Sequence, residues 1–139
     1  SKHTVRIRPV VVDPGHYRAE LLSLTGLSVE EHQAQRLLSS IQAYQAVECG
    51  PHVGLTQAAH LWMTGEYEPT IDAIPEEMMG KLEPAQIFHE ITDHRWFLSE
   101  ERSEAVSLPE ATASYLANVL PARRDEARLL RTAANSEAD

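Results

Sequence analysis

From residue 13 onwards, apolar positions recur at steps of three and four, the spacing that lines one face of an α-helix. Asp13-Pro14-Gly15 predicts the first helix start, with Asp13 as N-cap and Pro14 at the first helical position. Tyr17, Leu21 and Leu24 follow on one face, and Gly26 with Leu27 reads as a left-handed C-cap with its trailing apolar contact. Ser28-Val29-Glu30-Glu31 reads as a capping box that opens a second helix to about Val47, striped by Leu37, Leu38, Ile41 and Tyr44 and ended by Cys49-Gly50-Pro51. A third helix, roughly Leu55 to Thr64, carries Leu55, Ala58, Ala59, Trp62 and Met63 on one broad face and is expected to stop at Gly65.

Pro69 and Pro75 break residues 66–79 into short helical turns, with Gly80 as terminator. Glu83-Pro84 opens a fourth helix to about Leu98. Ser107-Leu108-Pro109-Glu110 is a second capping box, before a helix whose Leu108, Ala111, Tyr115 and Val119 share a face. Pro121 restarts or kinks the chain ahead of a stretch that docks through Leu129 and Leu130. The pattern therefore predicts an all-α fold, five to six helices in a compact bundle, over residues 13–134, with residues 135–139 frayed. Residues 1–12 form the exception: Val5, Ile7 and Val10 to Val12, interrupted by Pro9, read as an extended arm or strand with no second strand to pair with. A start at Ser-Lys-His that leads directly into this arm reads as a piece of a longer protein.

Composition narrows the function classes. With 42% hydrophobic and 24% charged residues, the chain is apolar enough to fold. The formal charge of −9, from 21 acids against 12 bases, opposes binding to a phosphate backbone, so nucleic acid is not an expected partner. Cys49 is the single cysteine, which rules out an intrachain disulfide and favours a cytoplasmic location. No apolar run is long enough for membrane insertion.

The densest cluster of chemically capable groups is on the fourth helix, from Ile87 to Leu98. His89 and His94, with Glu90 between them, suggest a zincin at first sight. That motif places its histidines four apart, whereas these are five apart and turned by ~140°, so one helix cannot aim both at one metal. Ile87, Ile91, His94 and Leu98 form one stripe, which makes His94 a core-side imidazole satisfied by a carbonyl or by a carboxylate such as Glu90. His89, Asp93 and Trp96 form another face, for which packing inside the domain is favoured over an interface. These three, with Trp62 on the third helix, are the interaction candidates. No other histidine pair has ligand spacing, and phosphate loops, nucleophile elbows and Cys-x-x-Cys pairs are absent, so no catalytic residue, metal or cofactor is expected. Arg123, Arg124, Arg128 and Arg131, interleaved with Asp125 and Glu126, read as a solvated helix face.

Several segments together carry a resemblance. They are Leu24-Thr25-Gly26-Leu27 through Arg36-Leu37-Leu38, Ala58-Ala59-His60-Leu61-Trp62, Glu66-Tyr67-Glu68-Pro69, and Gly80-Lys81-Leu82-Glu83-Pro84-Ala85 through His94-Arg95-Trp96-Phe97-Leu98-Ser99-Glu100. In order and spacing they resemble the C-terminal region of actinobacterial proteins in the family called domain of unknown function 4032. The resemblance implies a preceding domain similar to the lipopolysaccharide-kinase branch of the kinase-like fold. The present residues hold none of that domain's glycine-rich loop, His-Arg-Asp or Asp-Phe-Gly motifs, so no catalytic residue is carried over. The expected function is a non-catalytic accessory or regulatory domain that contacts a kinase-like domain in cis or another protein. The alternative is a small-ligand or metal-binding domain, possibly enzymatic, centred on His89, Asp93 and His94.

Overall fold

A computed structural model describes residues 13–122 apart from residue 81. The expected arm at 1–12, the last helical stretch up to 134 and the tail at 135–139 lie outside the described residues. The described residues are all-α, with seven helices: α1 His16–Thr25, α2 Glu31–Tyr44, α3 Leu55–Trp62, α4 Glu68–Asp72, α5 Glu76–Met79, α6 Pro84–Arg102 and α7 Leu108–Asn118. The core forms where α2, α3, α6 and α7 meet. Its fully buried side chains include Leu21, Leu37, Ile41, Trp62, Ile87, Phe88, Ile91, Tyr115 and Leu120.

Most helix faces follow the periodicity, and α3, α6 and α7 start where the sequence places them, but the starts of α1 and α2 differ. Helix α1 begins at His16 rather than beside Asp13, because Gly15 takes a left-handed φ of 83° and residues 13–16 close a turn, His16 N–H donating to the Asp13 carbonyl at 3.0 Å. The N-cap of α2 is Glu30, whose carboxylate accepts the N–H groups of His32 and Gln33. The expected Ser28–Glu31 box is not formed. The Glu31 carboxylate instead accepts the otherwise unpaired N–H groups of Tyr17 and Arg18 at the start of α1, tying the two helices together. Gly26 caps α1 as expected, with φ 80° and its N–H donating to the Leu22 carbonyl. Ser107 caps α7, its hydroxyl accepting from Glu110 N–H, while the Glu110 side chain pairs with Arg102 rather than reaching back.

Gly65 does not stop the third helix. A π-helical turn, Met63–Tyr67, carries the chain without a break into α4. Residues five apart diverge by ~140° on an α-helix, whereas i→i+5 bonding brings them toward one side. Trp62 and Tyr67 accordingly share the core with Phe88, with ring centroids 5.0–5.6 Å apart. Burial pushes the Tyr67 phenol up to about 12. A second π-helical turn, Gln45–Cys49, extends α2 and leaves Cys49 half-buried.

Helix α6 runs four residues past its expected end at Leu98, to Arg102, and is closed by Ser103 in the left-handed region at φ 53°. The following loop is tied back to it. The Val106 carbonyl accepts from Arg95 Nε at 2.8 Å, and Val106 N–H donates to Ser99 Oγ at 3.1 Å.

Candidate functional site

Helix α6 organises the chemistry because its surroundings change along its length. Its first half is enclosed: Ala85, Ile87, Phe88, His89 and Ile91 are all buried, an arc too wide for a one-faced surface helix. In its second half only Leu98 is buried. Trp96 is 66% exposed and Phe97 58% exposed, side by side on the helix. The expectation that Trp96 packs inside the domain is therefore wrong, because no element covers its side of α6 among the described residues. Trp62, an interaction candidate from the sequence, is fully buried in the aromatic cluster and is not available for an interface contact.

His89, on the same expected face, does pack inside the domain, at the interface between α6 and α2, where it is 2% exposed. Its Nε2 makes no hydrogen bond among the described residues. Burial, helped by the Arg36 charge, pushes the imidazole down to about 4, against opposing pulls from the Gln33 backbone carbonyl and Asp93. This ring is neutral at physiological pH. Asp93 stays on the surface and faces Arg36 at 3.5 Å. His94 is half-buried; its Nε2 meets Ser114 Oγ at 2.8 Å, in place of the expected carbonyl or carboxylate. The structure therefore does not bring His89, Asp93 and His94 to one point. No group of three His, Cys, Asp or Glu side chains among the described residues could hold a metal ion.

The polar groups of α6 join a relay across the bundle. Gln33 Nε2 donates to Gln86 Oε1 at 2.6 Å, Gln86 Nε2 donates to Glu90 at 2.8 Å, and the Tyr115 hydroxyl donates to Glu90 at 2.7 Å. The relay links α2, α6 and α7 through residues in or at the edge of the core. It ties those three helices together through side-chain hydrogen bonds.

Sequence reasoning missed Arg95 and Glu66. They are the two residues common to two neighbouring cavities, of about 500 and 250 Å³. Burial raises the Glu66 carboxyl above its usual range, against the opposing pull of Arg95. They stand 29 positions apart, so no helical periodicity could have linked them. Phe97 was also missed. Its signal was available: neighbours on a helix are ~100° apart, so one narrow core face does not take both of two adjacent aromatics.

Fold and site together describe a helical domain whose assembled features are a buried polar relay, an exposed aromatic pair and a cleft beside Arg95. The sequence pattern of the family described as "Domain of unknown function (DUF4032)" matches residues 1–120, and the chain belongs to that family. No curated protein and no solved structure matches it. No helix among the described residues is long and apolar enough to cross a membrane.

Proposed function

We propose that this chain is a non-catalytic accessory or regulatory module of a larger bacterial protein, docking on a kinase-like domain in cis or on another protein. The observation that carries the reading is the adjacent exposure of Trp96 and Phe97 on α6. Large aromatics left in water on a rigid helix are the side chains that dominate protein interfaces, because they bury much area at small entropic cost. Asp93, Glu100 and Glu101 stand exposed around the pair. The complementary surface is therefore apolar at its centre and basic at its rim. The sequence resemblance to actinobacterial proteins with a kinase-like half is what suggests such a partner, and the single cysteine and the acidic charge support a cytoplasmic setting without nucleic acid.

The test is association between this chain and the separately expressed kinase-like half of the full-length gene product, followed by calorimetry. Trp96→Ala and Phe97→Ala should each weaken it by ~2 kcal/mol or more while leaving the unfolding midpoint almost unchanged. Association at wild-type affinity by both variants would remove this face from the interface.

A further inference from the structure

The larger cavity is a cleft between the α3–α4 junction and α7, with Arg95 of α6 on its wall. Its volume, about 500 Å³, falls in the ~300–1,000 Å³ range of small-molecule sites. Pro69, Ala73, Leu108, Pro109, Ala113 and Leu116 supply an apolar trough. Two polar observations set its chemistry. Arg95 is held through Nε on the Val106 carbonyl, and neither of its terminal nitrogens has a hydrogen-bond or ion-pair partner among the described residues. Thr70, only 5% exposed, lines the same cleft, and its hydroxyl has no hydrogen-bond partner there.

An anchored guanidinium whose two terminal nitrogens present one free edge is preorganised for a planar oxyanion, and a carboxylate matches that edge in two parallel bonds. The Thr70 hydroxyl, unpaired and open to the cleft, offers a third polar contact. We propose that this cleft binds a small organic carboxylate with an apolar body, the carboxylate on Arg95 and Thr70 and the body along the Leu108–Leu116 trough. Glu66, beside Arg95, does not oppose this. Burial raises its carboxyl above the usual range against the pull of Arg95, and among the described residues it forms no ion pair with the guanidinium, whose terminal nitrogens stay open to a ligand. The site is independent of the aromatic pair, so it stands or falls apart from the docking reading.

The experiment titrates the 139-residue chain with benzoate, hexanoate and 4-phenylbutyrate and with their uncharged amides, following backbone amide resonances and the Arg95 Nε–H. At least one carboxylate should give saturable shifts at Ala73, Thr112, Ala113 and Arg95, and its amide should bind roughly tenfold more weakly or worse. Arg95→Gln should remove that preference. Because this change also releases the Val106 carbonyl, Ala113→Leu is the second variant: it fills the trough from an exposed position and should abolish binding with the other resonances unmoved. Equal binding of acid and amide, or no saturable shift with any of the three carboxylates up to ~10 mM, overturns the proposal.

Discussion

The Glu31 carboxylate caps a helix other than its own, accepting the Arg18 backbone N–H at 2.9 Å while Tyr17 N–H reaches its other oxygen at 3.2 Å. A side chain at the start of α2 thus completes the start of α1, where Gly15 offers no side-chain acceptor. Glu31→Ala should cost about 1–2 kcal/mol by urea unfolding, the range for a lost N-cap. Ser28→Ala, which removes no cap bond, should stay within about 0.5 kcal/mol. Equal costs for the two would restore the local capping box.

The two tryptophans should behave as opposites. Trp62→Ala excavates the aromatic core and should cost about 3–5 kcal/mol, and Ile91→Ala about 2–5 kcal/mol. Trp96→Ala should change stability by no more than about 0.5 kcal/mol. Fluorescence gives an independent check. In Trp62→Phe the remaining indole is Trp96, and its emission should be red-shifted and open to acrylamide quenching.

His89 should give stability a pH dependence of known sign. Its folded value of about 4 lies below the ordinary 6.5, so between those limits the unfolded chain binds the extra proton. The stabilisation is complete above ~6.5 and is lost as the pH falls towards ~4, amounting to at most about 3 kcal/mol. Glu30, lowered by the His32 and Gln33 backbone N–H groups, adds loss in the same direction in more acid solution, and Glu66, raised by burial, acts in the opposite sense. Arg36, Asp93 and His32 are the charged and titratable groups around His89. The measurement is therefore the difference in slope between wild type and His89→Gln from unfolding curves at pH 4 to 7, and parallel curves would contradict it.

Tyr115 packs fully buried and donates its hydroxyl to Glu90, so Tyr115→Phe removes a polar contact without opening a large cavity. The expected loss is about 1–3 kcal/mol, the range for a hydrogen bond to a carboxyl that can carry charge. Amide exchange should accelerate in α6 and α7 together, since the relay joins them.

What the sequence determined by itself was the set of helices and most of their inner faces, because both depend on residues within a few positions of one another. Leu37, Leu38 and Ile41 on α2 and Leu108, Ala111 and Tyr115 on α7 turn inward as their spacing requires. Gly26 and Ser107 end and begin helices as their local chemistry dictates. Tertiary structure decided whatever depended on which neighbour lies opposite. Glu31 left its own helix for the open amides of α1, and a π-helical turn re-phased Tyr67 onto Trp62. On α6 the reading assigned residues to faces, but burial there depends on position along the axis as much as on angle around it. Neighbouring helices enclose its first half and take in His89, whereas the second half buries only Leu98 and leaves Trp96 and Phe97 in water. Arg95, Glu66 and Thr70 meet at the cleft because a loop and three helices converge there, a relation between distant segments that no periodicity encodes.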